Sequence, residues 1–371
     1  MRPPLMSTVG RRFDTQRESK TMADRSNRFG RYGRESDTHH ATMVTSRRRF
    51  AGGVAGAIVL GGMSVATRAQ RESRIRRIGY LSLRAGPGPL DAEFFAALRD
   101  LGYVEGRNLA VVYQWAADKE ERLPALAAQL VQADVEVIVT SATPAISAAM
   151  GATSTIPIVM QSAADPVGSG FVTNLARPGG NVTGMTLLST ELAAKRLQIM
   201  RELVPNSKRT SLLALDNAFA TPLLISAMKA ASQQLQLDLV VQLVKTDDDL
   251  PRAFAGLEKA RAETLVVQTS PFAAARRVQI AELAARHHLP AMYEVLAYVD
   301  AGGLIAYGPD GPELTRRSAL FVDKILKGAK AGDLPIEQPT RYQLAINLKA
   351  ARALGLAIPQ SLLLRADAVN R

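Results

Sequence analysis

Three adjacent pairs, Thr143-Pro144, Thr221-Pro222 and Ser270-Pro271, set a hydroxyl directly before a proline. A hydroxyl can accept the first free amides of a helix, and proline suits the first helical position, so each pair reads as a helix start. Helix starts also present unpaired N–H groups and the positive end of a dipole to an anion. The run from Thr140 to Thr143, with hydroxyls on Thr140, Ser141 and Thr143, is the best suited of the three to hold a ligand carboxylate. Plain capping is the competing reading for each pair. Asp165, followed by Pro166, is suited either to a ligand ammonium or to capping its own turn. Further along, Asp216, Asn217, Tyr293 and Tyr307 stand at the ends of predicted strands, where their side chains would close on a ligand from a second side. For the tyrosines, core packing competes, because only 5% of the chain is aromatic and each ring is needed for burial.

Signatures of catalysis are missing. Gly168 and Gly170 are followed by Thr173 where a dinucleotide loop needs its third glycine, and they do not directly follow a strand. There is no phosphate-binding loop, no GxSxG elbow and no HExxH. The four histidines form two adjacent pairs, His39 with His40 and His287 with His288 on a predicted helix, and neighbouring helical residues point apart. No pair of carboxylates is singled out for acid–base work. Cysteine is absent, which excludes disulfides, thiolate-bound metals and thiol nucleophiles. No catalytic residue, no metal and no cofactor is expected.

The 371 residues carry 46 Lys plus Arg against 34 Asp plus Glu, a net charge of +12. Residues 1–77 hold 17 of the basic and 6 of the acidic residues, so the remaining chain is almost neutral. A basic surface for nucleic acid is therefore not a property of the body of the protein. With 47% hydrophobic residues, that body is long enough for two ordinary domains with cores.

Residues 1–42 are polar and lack apolar periodicity, and read as a disordered or untranslated extension. From Met43 the layout changes. Ser46-Arg-Arg-Arg-Phe50 precedes a weakly apolar run, Ala51 to Ala66, and then Thr67-Arg68-Ala69. This resembles a bacterial twin-arginine export signal over residues 43–69, with cleavage near Ala69 and a periplasmic destination. The apolar run, with its five glycines, is shorter than the roughly 20 residues of a membrane span.

From Ile78 onward, β-branched or leucine-rich runs alternate with amphipathic segments, the pattern of βα units on parallel sheets. Strands are expected over Ile78–Leu83, Leu109–Tyr113, Val135–Thr140, Ile156–Met160, Val182–Met185, Thr210–Leu215, Leu237–Val244, Thr264–Gln268, Pro290–Tyr293 and Gly303–Tyr307. Leu123, Leu126, Ala127, Leu130 and Val131 share one helical face, as do Leu224, Met228, Ala231 and Leu235. Ten strands exceed one comfortable sheet, so the class is α/β with two doubly wound, Rossmann-like lobes. The first lobe is expected over residues 70–188, with about 308–346 returning to it and Tyr342–Ile346 rejoining its sheet. The second is expected over 189–307, and residues 347–371 would lie across the hinge. Arg177-Pro-Gly-Gly-Asn181 predicts a type II turn. In such sheets ligands bind beyond the carboxyl ends of the strands.

The ordered strings Gly79-Tyr-Leu81, LGYVEGRNL at 101–109, ATSTIPIVM at 152–160, DPVGSGFV at 165–172, LARPGGNVTG at 175–184 and AGGLIAYGP at 301–309 continue through VDKILKGAKAGDLPIEQP at 322–339, INLKAARALGLAIP at 346–359 and RADAV at 365–369. Over residues 76–370 the chain resembles the solute-binding proteins of ABC transporters with the type I periplasmic binding fold, in the family that includes tryptophan-binding members. The resemblance implies two lobes on a multi-strand hinge, closing on an amino acid or similar small solute and docking on a membrane permease. By position, Ser82, Thr140, Ser141, Thr143 and Asp165 of the first lobe, and Asn217, Ser270 and Tyr293 of the second, are expected in the cleft. A monomeric periplasmic receptor without catalysis follows, its solute carrying both a carboxylate and an ammonium. A secreted α/β enzyme acting on a small carboxylate, or a ligand sensor without a transport role, stands as the alternative.

Overall fold

A computed structural model describes residues 75–216 and 220–371. All of them belong to one compact unit, Leu60–Arg371. The twin-arginine signature, the cleavage point near Ala69, the extension before them and Asn217 lie outside the described residues.

The first sheet contains β1 (Arg76–Ser82), β2 (Leu109–Trp115), β3 (Val137–Ser141), β4 (Ile158–Ala163) and β5 (Val182–Thr186) in the order β2-β1-β3-β4-β5, all parallel. The second contains β6 (Arg209–Leu215), β7 (Asp238–Val244), β8 (Thr264–Val267), β9 (Ala291–Tyr293), β10 (Ile305–Pro309), β11 (Tyr342–Asn347) and β12 (Ala368–Asn370) in the order β12-β11-β10-β9-β8-β6-β7. Its first five strands in sequence are parallel and repeat the winding of the first sheet. Each sheet therefore reverses its winding direction once, between β1 and β3 and between β6 and β8, and such reversals open a crevice at the strand ends. All ten expected runs are strands, with ends shifted by at most three residues.

Strand alternation explains the layers. In the first lobe Leu81, Ile138 and Met160 face α2 (Leu123–Gln132) and α3 (Thr143–Ala152), burying Leu130 and Ile146. Tyr80, Val139 and Val159 face the other way, onto Phe94 and Leu98 of α1 (Pro89–Asp100). In the second lobe Leu265 and Val267 pack on α6 (Asp249–Lys259) and α8 (Arg277–Arg286), which follows the short α7 (Pro271–Ala275). Leu212, Val266 and Met292 pack on α4 (Ala193–Leu203) and α5 (Ala220–Gln234). Both helical faces read from the sequence are core faces: Leu126 and Leu130 in α2, and Leu224 and Met228 in α5, are buried.

The chain crosses between the lobes three times. It leaves β5 through residues 187–192 for α4. It returns after β10 into α10 (Gly311–Leu326), following the four-residue α9 (Ala297–Asp300) of the second lobe. Helix α10 covers the first sheet with Leu314, Phe321 and Val322, and Met185 of β5 bridges to Glu337. Tyr342–Ile346 then departs from expectation: it pairs antiparallel with β10, Pro309 opposite Tyr342, and so joins the second sheet. The segment after residue 347 is likewise part of the second lobe, because β12 extends β11, and α11 (Leu348–Ala353) and α12 (Gln360–Arg365) bury Ala351 and Leu362 there. Their apolar stripes match the second lobe's outer layer, and nothing in strand composition alone says which of two similar sheets an edge strand will extend.

At the expected type II turn Gly179 has φ +76° and donates its N–H to Gly332 O at 3.2 Å. A Cβ on Gly332 would stand 2.7 Å from Gly180 O, so glycine lets the two backbones touch.

Candidate functional site

A cleft of about 170 Å³ lies where the carboxyl ends of β3 and β4 meet those of β6 and β8, with Leu187 of the first crossover between them. Ser141, Thr143 and Ser162 line the first-lobe side; Gln268, Thr269 and Ser270 line the other. The second-lobe wall thus lies at that sheet's winding reversal. Among the described lining residues none is charged.

The first wall is built around a strained residue. Ala142 has φ 67° and ψ 144°, and its N–H bonds Ser162 O at 3.2 Å. A side chain in this region of the map costs about 1–3 kcal/mol, and such positions cluster at ligand clamps. Helix α3 starts at the next residue, so Thr143 is its first helical residue and not its cap. The capping role expected of Thr143 is therefore not the one it performs. No hydrogen bond from the Ser141 or Thr143 side chain joins either to another described residue, and in the first turn of α3 the Thr143 and Ala145 amides have no helical acceptor, while Ile146 N–H bonds Ala142 O at 3.1 Å.

The second wall is tied by hydrogen bonds at all but one of its polar side chains. Ser270 caps α7 as expected, its hydroxyl accepting Ala273 N–H at 3.1 Å. Thr221 does not cap. Its hydroxyl donates to Leu215 O at 2.6 Å and lies 3.2 Å from Gln268 Oε1, fixing α5 to the end of β6. Gln268 Oε1 also accepts Leu215 N–H at 2.9 Å. Thr269 N–H donates to Glu294 Oε2 at 3.0 Å, while the buried Thr269 hydroxyl has no partner.

Behind this wall lies a buried ion pair that sequence reasoning missed. Arg196 of α4 and Glu294, the residue after β9, are 1% and 3% exposed in their side chains and 2.8 Å apart. Burial lowers the Arg196 pKa from its ordinary value, and the Glu294 carboxylate opposes that shift. Arg196 is an arginine on an apolar helix face, next to Leu197 and Met200 in the buried set. That mismatch was the available signal; its partner lies 98 residues away.

The remaining expected residues fall elsewhere. Ser82 is buried at the end of β1, and its hydroxyl accepts Arg84 N–H at 3.3 Å. Thr140 is fully buried with an unpartnered hydroxyl, behind the cleft and not in its lining. Asp165 takes the turn-capping role: Oδ1 accepts Gly168 N–H at 2.8 Å and Oδ2 accepts the Thr190 hydroxyl at 3.4 Å. Tyr293 is a core residue, 0% exposed and stacked on Tyr298, so its ring does not reach the cleft. The pair His287-His288 follows α8 instead of lying within it, and His287 Nδ1 meets Glu258 at 2.9 Å. Among the described residues no group of three or more His, Asp or Glu is placed to hold a metal ion, and no helix is long and apolar enough to cross a membrane.

The sequence profile of the ABC transporter substrate binding protein family matches residues 92–370. A tyrosine-binding protein of Clostridioides difficile (strain R20291) is 25% identical over 264 residues, covering 71% of this chain and 75% of the relative. A conserved domain protein of Vibrio cholerae has a structure that superposes with a TM-score of 0.76 at 27% identity, covering 80% of this chain and 100% of that one. The ABC domain from Streptococcus pneumonia in complex with L-Trp gives 0.73 at 24% identity over 79% of this chain and 99% of that one, a likeness of fold. Two sheets with parallel five-stranded portions wound alike, a cleft between their carboxyl ends and a profile match over three quarters of the sequence agree: the chain belongs to the ABC transporter substrate binding protein family, whose members bind their substrates and are not enzymes.

Proposed function

We propose that this protein binds a small amino-acid-like solute in the cleft between its lobes and delivers it to an ABC permease. The observation that carries the reading is the meeting, in one small cleft, of hydroxyl-bearing residues from both lobes: Ser141 and Thr143 on one wall, Thr269 and Ser270 on the other. A solute touched by both walls binds better when the lobes are close, which is all that closure of a hinged protein requires. The first turn of α3 suits the carboxylate. With Asp165 engaged in its own turn, neutral oxygens are left to receive the ammonium. The tyrosine-binding relative supports an amino acid over other small solutes. Residues 43–69 act as a twin-arginine export signal, residues 1–42 as an extension ahead of it, and the mature protein works as a monomer in the periplasm.

The test is a thermal-shift screen of the purified protein, stripped of co-purified solute by partial unfolding and dialysis. Amino acids, small organic acids, sugars and nucleosides form the panel. An amino acid at 100 times its dissociation constant adds about 2.7 kcal/mol and raises the melting temperature. Hits confined to sugars or nucleosides, or a hit that is consumed on incubation, would overturn the reading.

A further inference from the structure

Arg196 touches more than Glu294. Its Nη1 also donates to Ser189 O at 3.1 Å, in the first crossover, and its Nε donates to Tyr307 O at 3.0 Å, two residues before β10 ends and the second crossover begins. The ring of Tyr307 stacks on that of Tyr342, where the third crossover enters β11, with centroids 6.1 Å apart. One guanidinium thus bonds the first crossover directly, bonds the strand that leads into the second, and stands next to the third. On its other side Glu294 passes the connection forward, since Oε1 takes Arg196 and Oε2 takes Thr269 N–H in the cleft wall. Gly308 seats the same carboxylate's backbone against β10: a Cβ there would come within 1.8 Å of Glu294 O.

A pair kept only for stability is an expensive choice. Two well-packed apolar residues would serve a core as well or better than two desolvated charges. Moreover, Arg196 Nη2 is buried and has no partner. A buried donor left unpaired in one arrangement of the lobes is explained if another arrangement gives it an acceptor. The crossovers are the segments whose rotation would bring one.

We propose that Arg196 and Glu294 are positioning residues that tie the setting of the interlobe hinge to the placement of Thr269 and Ser270 in the cleft. They touch one crossover carbonyl, one carbonyl of β10 and the wall backbone, and not the solute. Their effect on affinity rests on the solute reading above; their effect on lobe disposition does not.

The chain has no cysteine, so single cysteines can be placed freely. Glu121→Cys on the first lobe and Lys245→Cys on the second, both exposed, carry spin labels whose separation is read by double electron–electron resonance, first without solute and then with L-tyrosine. In the R196M/E294L double variant, which leaves no unpaired buried charge, the solute-free distance distribution broadens and its mean lengthens. L-tyrosine binding weakens by about 5- to 150-fold, the usual range of coupling between linked sites. R196K retains a cation for Glu294 but cannot reach both carbonyls, and it broadens the distribution. This variant decides the matter should the double variant fail to fold. A parent-like distance distribution in either folded variant overturns the proposal and reduces the pair to packing. Silence of L-tyrosine on the parent would count against the solute reading alone, because the solute-free distances stand independently of it.

Discussion

Tyr293 stacks on Tyr298 inside the second lobe, ring centroids 4.6 Å apart and planes 13° from parallel, and neither hydroxyl has a hydrogen-bond partner. Burial pushes both phenols well above their ordinary pKa, so neither titrates in the physiological range. The rings are there for their apolar surface. Tyr293→Ala is expected to lose about 3–5 kcal/mol of stability. Tyr293→Phe, which removes a buried unpaired hydroxyl, should hold or raise stability by up to about 1 kcal/mol. Urea denaturation distinguishes the two, and a large loss in the phenylalanine variant would show that the hydroxyl has work this account does not give it.

Gly308 has no room for a side chain. Because Glu294 O would stand 1.8 Å from its Cβ, Gly308→Ala must push β9 and β10 apart at the residue that holds both Arg196 and Thr269. A loss of at least about 3 kcal/mol is expected, at the upper end of overpacking costs, together with weaker solute binding. Equal stability of parent and variant in chemical denaturation would be incompatible with this contact.

The two hydroxyls of the second wall should separate stability from affinity. Ser270→Ala removes a helix cap and is expected to cost about 1 kcal/mol of stability. Thr269→Val leaves the Thr269 N–H bond to Glu294 intact and removes only an unpartnered hydroxyl. It should therefore leave stability unchanged while weakening solute binding. Calorimetric titration beside a thermal melt reads both effects, and parent-like affinity in Thr269→Val would remove this hydroxyl from the site.

Acid should loosen the second lobe at the start of α6. The Asp249 carboxylate accepts from Arg252, from the backbone N–H of Lys245 and Thr246, and from the Thr246 hydroxyl, and these contacts hold its pKa well below the usual carboxylate range. In the unfolded chain the same group titrates near its ordinary value of about 3.9. Its contribution is thus complete above that value and is lost as the pH falls below it toward the folded pKa. Glu202 and Glu263, also shifted down by their hydrogen bonds, act with the same sign. The urea midpoint should fall between pH 6 and pH 3, and fall less in Asp249→Asn. Parallel curves for parent and variant would contradict the assignment.

The parallel strands were legible because they are runs of β-branched and leucine residues separated by amphipathic helices, a local pattern. The placement of Tyr342–Asn347 was not legible: the run is apolar enough for either sheet, and its pairing with β10 is fixed by the third crossover, a long-range feature. Ala368–Asn370 is three residues long and gave no pattern to read. Ser141, Thr143 and Ser270, expected from hydroxyls near strand ends, line the cleft. Tyr293 was misplaced because residues ending a buried strand alternate between cleft and core, and one residue of shift decides which. Asp165 took the second of its two readings, a turn held by its own carboxylate. Arg196 and Glu294 were invisible as a pair, since a salt bridge across 98 residues has no sequence period.

The most direct test of solute binding between the lobes is a calorimetric titration of the stripped protein with L-tyrosine and L-tryptophan, run beside Ala274→Trp, which places an indole in the cleft lined by Ala274. Saturable binding of one solute per chain in the parent, abolished in the variant while its melting temperature is kept, is the expected result. Equal affinity in parent and variant would place the solute outside the cleft and contradict the account.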